Sequence, residues 1–156
     1  MQYGEHPETM RVCRVALPLA AALMLGGCAT MAGGVPGDIG RSLETTGSAL
    51  RSGSLAFDQA DDSRTLPSAA DTAFVDALTQ VDQELSTLRR LQVSTPEEEA
   101  LRADAITALN EAADALVTAQ VVVAGTSASS AAQARTQLRQ ADDTIDAVLQ
   151  RTGRDR

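Results

Sequence analysis

The stretch TPEEEALRADAI, from Thr95 to Ile106, carries the clearest helix-start signal in the chain. Thr95 suits the N-cap, Pro96 fits the first helical position, and Glu98 stands at the spacing of a capping box. The neighbouring glutamates also favour the positive end of the helix dipole. We therefore predict a helix that begins here and stops at Gly125. Its apolar seam is expected to consist of Ile106, Leu109, Ala113, Leu116 and Val123.

The residues before this helix, Ser68 to Gln92, predict another one. Pro67 ends the preceding loop, Ser68 is suited to cap the helix, and Asp71 stands at the capping-box spacing. Apolar residues recur every three or four positions, which is the period of one helix face. They are Phe74, Leu78, Val81, Leu85 and Leu88.

The residues after it, from about Ala128 to Thr152, predict a further helix. Ser127 or Ser129 is expected to cap its start, and Gly153 ends it. The seam again follows a helical spacing. It consists of Ala131, Ala134, Leu138, Ala141, Ile145 and Val148.

A weaker segment, Asp38 to Ala60, precedes these three helices. Its apolar residues have helical spacing, but glycines interrupt it, and each costs up to about 1 kcal/mol relative to alanine in a helix interior. We expect this segment to become helical by docking on the rest. The glycines are Gly40, Gly47 and Gly53.

Together these patterns predict an all-α fold. No stretch between turns sustains the apolar and polar alternation of a strand. Short links between long helices make neighbouring helices antiparallel. The expected architecture is a small antiparallel helical bundle over residues 38–156, with three strong helices and a weaker N-terminal one.

The N-terminal residues have the layout of a secretory signal peptide, assigned to residues 1–27. Arg11 and Arg14 precede an apolar run, Val15 to Leu25, which small residues follow. The run is too short for a transmembrane helix, which needs about 20 apolar residues. Because the residues before Met10 are polar and acidic, we expect translation to start at Met10.

The sequence Leu25-Gly26-Gly27-Cys28 resembles the lipobox of bacterial lipoproteins. The resemblance covers residues 10–28 only, and no family is suggested for the body. It implies cleavage between Gly27 and Cys28 and acylation of the Cys28 thiol, which anchors the chain in a bilayer. The alternative is an ordinary signal peptide or a short uncleaved anchor in which Cys28 is incidental. Residues 28–37 are expected to form a flexible tether, because Pro36 and several glycines disfavour a helix there.

The composition argues against an enzyme and against nucleic acid as a partner. The chain has 13 basic residues, all arginine, and 21 acidic ones, whereas a phosphate-binding protein needs clustered positive charge. After Cys28 there is no His, Lys, Tyr, Trp or further Cys. The usual general bases and nucleophiles are therefore missing, and we predict no catalytic, cofactor or metal residues.

The densest aspartates are Asp142, Asp143 and Asp146, with Asp61 and Asp62 elsewhere. They are compatible with a weak divalent-cation site, but a solvated helix face is favoured, because nothing shapes a ligand loop.

The run Val121 to Ala124 is apolar on all sides of its helix. It is either a covered helix end or a surface that meets a partner or the membrane.

These features lead to three functional hypotheses. The first is a non-enzymatic lipoprotein of the cell envelope that acts through protein contacts, with self-association possible. The second is a carrier of a small apolar ligand between the helices. The third is an accessory subunit of an enzyme whose active residues lie on another chain. The anchor would place the protein on the outer face of a Gram-positive plasma membrane or, in a Gram-negative cell, on the outer membrane facing the periplasm.

Overall fold

The computed structural model describes residues 33–153, and this part of the chain forms four α-helices without a strand. The helices are α1 (Val35–Asp61), α2 (Pro67–Arg90), α3 (Pro96–Val123) and α4 (Ala131–Arg151). The predicted all-α helical bundle is confirmed. The longest helix, α3, has 28 residues and therefore spans about 42 Å.

Successive helices run antiparallel, and side-chain pairs fix their register. The first and last helices, α1 and α4, are antiparallel as well, because Arg51 of α1 pairs with Asp142 and Arg135 of α4 pairs with Asp58. Helices α1 and α3 each pack against all three other helices. Within residues 33–153, α2 and α4 do not touch each other. The bundle therefore has a flattened cross-section with α1 and α3 on its short diagonal.

The glycine-containing first segment is a full helix of 27 residues. Its glycines lie on the buried side, where the absence of a side chain allows close packing. A Cβ placed on Gly53 would stand 2.3 Å from Cδ2 of Leu116 and 3.7 Å from Cδ1 of Phe74. The lack of a side chain at Gly53 therefore allows α1 to pack closely against α3 across the short diagonal. Its buried glycines are Gly37, Gly40, Gly47 and Gly53.

Helix α1 also begins earlier than predicted, which corrects the tether boundary at residue 37. The helix starts at Val35, and Pro36 lies in its first turn, where the missing N–H has no intrahelical partner to lose. Gly34 is the N-cap with φ of +83°, a conformation that favours glycine. Proline here starts the helix instead of blocking it, so no more than six residues, 29–34, separate it from Cys28.

The core is built mainly from leucine and alanine. Both phenylalanines of the chain, Phe57 and Phe74, are fully buried in it. Helix α3 presents a line of small residues to its neighbours, which lets the helices approach closely, while each buried leucine contributes roughly 1.5 to 3 kcal/mol. The fully buried alanines of α3 are Ala105, Ala108, Ala112 and Ala119.

Two of the predicted caps are corrected by the structure. Helix α2 begins at Pro67 with Leu66 as N-cap and without a side-chain cap, because proline at N1 starts the helix one residue before Ser68. Helix α4 begins at Ala131, and its cap is Ser130, not Ser127 or Ser129. Ser130 and Gln133 form a complete capping box.

The predicted start of α3 is confirmed in detail. The Thr95 hydroxyl accepts a hydrogen bond from the Glu98 N–H at 3.2 Å, and Glu98 Oε2 accepts one from the Thr95 N–H at 3.2 Å. Arg102 secures the preceding turn, because its Nη1 donates to the Leu91 carbonyl at 2.7 Å. Gly125, with φ of +69°, lies just after the end of α3 as predicted.

Candidate functional site

The residues predicted for lipidation and signal cleavage, Cys28 and Gly27, lie outside the described residues. The same holds for the predicted signal peptide. Acylation of Cys28 therefore stays a prediction.

Three of the five aspartates considered for a cation site are engaged in separate ion pairs. Asp61 accepts a hydrogen bond from Arg135, Asp62 pairs with Arg64, and Asp142 lies 3.3 Å from Nη1 of Arg51. Within residues 33–153, no group of three or more His, Cys, Asp or Glu side chains is placed to hold a metal ion. These carboxylates join α1 to α4 or stabilise the turn after α1.

Arg135 is the centre of the most connected of these ion pairs. Its Nε donates to Asp58 at 2.8 Å, its Nη2 donates to Asp61 at 2.7 Å, and its guanidinium lies 5.5 Å from the centre of the Phe57 ring. The hydrogen bonds that Arg135 donates to Asp58 and Asp61 raise the pKa of Arg135 above its ordinary value. The group therefore stays charged and ties the start of α4 to the end of α1.

The serine-rich stretch from Gly125 to Gln133 has a structural role. Ser130 caps α4, and the Ser127 hydroxyl accepts a hydrogen bond from the Ser129 N–H at 3.0 Å. No His or Lys exists in this chain after Cys28 to activate a serine. The sequence already held the signal for the correct cap, since Ser130 and Gln133 have the capping-box spacing.

The apolar run Val121 to Val123 is half-buried, so it is neither fully covered nor fully exposed. Val122 and Val123 pack against the core. Val123 also lines a surface slot of about 230 Å³ between the start of α2 and the end of α3. The slot is lined by Pro67, Ser68, Asp71, Phe74, Gln120, Val123 and Ala124.

One rim of this slot is fixed by a hydrogen bond from Nε2 of Gln120 to Asp71 at 2.6 Å. Val75 lies one turn after Asp71 on α2, and Val117 lies one turn before Gln120 on antiparallel α3. The two valines therefore lie next to each other beside the slot. They are 49% and 45% exposed, respectively, which is high for branched apolar side chains.

Exposed acidic side chains also occur on the two helices that carry these valines, and we call this surface the acidic face. It consists of Val75 and Val117 with exposed acids on α2 and α3. No arginine occurs in residues 65–88 or 103–134. Sequence reasoning missed this surface, although the uneven spacing of the arginines along the chain was a visible signal. The acids are Asp71, Asp76, Asp82 and Asp114, and Asp114 also borders the groove between α3 and α4.

A second groove, of about 430 Å³, runs between α3 and α4. Its lining is mostly polar and combines acids of α3 with glutamines and a threonine of α4. It therefore resembles an ordinary polar surface groove between helices more than a pocket for an apolar ligand. The lining residues are Glu111, Asp114, Ala115, Thr118, Gln137, Gln140, Ala141 and Thr144.

No family model, no curated protein and no solved structure matches this chain. Among the described helices, α3 is long and apolar enough to cross a membrane by length and composition. The core helix of a soluble protein passes the same test, and α3 packs against the three other helices.

Proposed function

We propose that the protein is a membrane-anchored lipoprotein of the cell envelope that acts without catalysis, as a helical interaction or structural module. The observation that supports this proposal most directly is the order of features along the chain. A lipobox-like sequence ends at Cys28, and a bundle helix begins at Val35. Seven residue steps span at most about 25 Å, so acylation of Cys28 would hold the bundle close to a bilayer.

The side-chain chemistry of the body supports a role without catalysis. The chain after Cys28 lacks the residue types that most often act as general base, Schiff-base amine or thiolate. Several of its carboxylates are engaged in ion pairs with arginine, as at Arg51 and Arg135. A protein with this inventory is suited to contacts, for which helix faces suffice.

Carriage of a small apolar ligand is supported less well. The apolar slot measures about 230 Å³, below the roughly 300 to 1,000 Å³ of typical ligand pockets. The larger groove between α3 and α4 has a mostly polar lining. Native mass spectrometry of the purified chain tests this alternative, since a carrier would retain a small molecule and an interaction module would not.

The anchor is tested by labelling cells with palmitate. The chain has two cysteines, so Cys13→Ser is a matched control for Cys28→Ser. We expect the native chain and Cys13→Ser to carry the label and to sediment with membranes, whereas Cys28→Ser carries none. Label on Cys28→Ser would overturn the proposed anchor.

The interaction role is tested by crosslinking in intact cells that express the native chain. We expect one envelope protein to be enriched reproducibly over an unrelated lipoprotein with the same anchor. Recovery of the chain alone at every crosslinker length, together with a retained small molecule, would favour the carrier.

A further inference from the structure

We infer that the acidic face is a docking surface for a cationic amphipathic helix of a partner protein, with one apolar side chain of that helix seated in the slot. This inference rests on the proposed function as an interaction module, and it adds the chemistry of the partner and the place of contact.

The charge of the chain is unevenly distributed between the two halves of the bundle. Helices α2 and α3 with the turn between them hold ten acids and three arginines, and those arginines, Arg89, Arg90 and Arg102, all lie near that turn. The acidic face has no arginine among its residues. Such a surface attracts a basic partner and repels an acidic one.

The apolar part of the face supplies the place for an anchor. Val75 and Val117 are exposed next to the slot, where Phe74 and Val123 provide apolar walls. A helix that binds in a groove contacts it through apolar residues at positions i, i+3, i+4 and i+7. The slot fits one such side chain, and the valines contact the next turn of the same helix.

Other occupants fit this face less well. A symmetric contact between two copies would place acids such as Asp76 and Asp114 opposite acids of the other copy, which is repulsive. A bilayer with anionic lipids would be repelled for the same reason. A basic protein segment satisfies both the charge and the apolar part of the surface.

The inference is tested with the full chain in nanodiscs of zwitterionic lipid, with empty nanodiscs as blank. The probe is a fluorescent helical peptide of about five turns, with leucines at helical spacing and lysines elsewhere. A peptide with the same leucines and glutamates in place of lysines is the control. We expect the lysine peptide to bind, the glutamate peptide not to bind, and about 0.5 M salt to weaken binding strongly.

Matched variants locate the binding surface. Val117→Arg adds a positive charge on the acidic face, and Leu55→Arg adds the same charge on α1, where Leu55 is 59% exposed. We expect Val117→Arg to weaken peptide binding about tenfold and Leu55→Arg to change it less than twofold. Equal effects of the two variants, or no binding of the lysine peptide to the native chain, would overturn the inference.

A measurement on the native chain locates the binding surface even if Val117→Arg does not fold. A peptide with a photoreactive leucine analogue is crosslinked to the native chain, and the attached residues are identified by mass spectrometry. We expect attachment within residues 66–82 and 110–124, whereas attachment on α1 or α4 would contradict the inference. The same peptide titration with Cys28→Ser in solution needs no acyl anchor, so its failure and failure of the palmitate test are distinguishable.

Discussion

At the scale of single residues, Gly53 shows how close the two diagonal helices lie. A methyl group at this position would overlap Cδ2 of Leu116, which is fully buried and cannot move into solvent. Helix propensity alone predicts that alanine gains about 1 kcal/mol over glycine. Overpacking of a well-filled core costs about 1 to 3 kcal/mol, so the packing effect wins.

We therefore expect Gly53→Ala to lower the free energy of unfolding by about 1 kcal/mol, measured by urea denaturation. Ser52→Ala, at the exposed neighbouring position, is the control and is expected to be neutral or slightly stabilising. A stabilising Gly53→Ala would show that α1 and α3 are less tightly packed than described.

Thr46 leads to the opposite kind of prediction. Its side chain is fully buried, and its Oγ1 has no hydrogen-bond partner among the described residues. Valine has nearly the same shape and carries no polar group that must be removed from water. We expect Thr46→Val to raise the free energy of unfolding by about 1 kcal/mol, measured by thermal and urea denaturation.

Ser42, one turn earlier, is the control for Thr46. Its hydroxyl donates to Oε2 of Glu84 at 2.7 Å, so it joins α1 to α2. Ser42→Ala should lower the free energy of unfolding by about 1 kcal/mol, because it removes a hydrogen bond to a carboxylate. Equal signs for the two variants would contradict this distinction between a paired and an unpaired hydroxyl.

At the scale of elements, substitutions of the capping residues distinguish the helix starts that have a side-chain cap from the one that has none. We expect Thr95→Ala and Ser130→Ala each to cost about 1 kcal/mol of stability, because each removes half of a capping box. Ser68→Ala should be close to neutral, since Ser68 lies inside α2 and does not cap it. Denaturation midpoints compare the three variants, and a large loss for Ser68→Ala would restore it as the cap.

The helices themselves were predictable because their apolar periods and one complete capping box are local signals. Helix α3 was placed correctly from Thr95 to Gly125 on such signals alone. The predictions that are wrong are also local, and they concern two serine caps and the place of Pro36 in a tether. A proline is compatible with a loop or with a first helical turn, and only the packing of the residues after it decides between them.

The surface around Val75 and Val117 could not be predicted from one helix at a time. On its own helix, each valine is a single exposed apolar residue, which is common on protein surfaces. Their adjacency arises from the antiparallel register of α2 and α3, which the hydrogen bond between Gln120 and Asp71 fixes. Such pairings depend on contacts distant in sequence, about which a hydrophobic period carries no information.

At the scale of the whole molecule, the flattened cross-section predicts an order of local stability. Helices α1 and α3 are each covered by all the other helices, whereas α2 and α4 lack contact with each other within the described chain. We expect amide hydrogen exchange to be slowest in the middle of α1 and α3 and faster in α2 and α4. Slowest exchange in α4 would contradict the diagonal arrangement.

The early start of α1 also determines how far from a membrane the slot would work. Pro36 shares a groove with Glu97, Leu101 and Arg151, so the starts of α1 and α3 lie at the same end of the bundle. The slot lies at the far end of α3, about 42 Å away along the helix. If Cys28 is acylated, at most about 25 Å of chain joins it to the start of α1, and the slot lies at the end of the bundle opposite that helix start. Under the proposed function the bundle would then act as a spacer. It would favour partners whose basic helix projects away from the membrane over partners that lie flat on it.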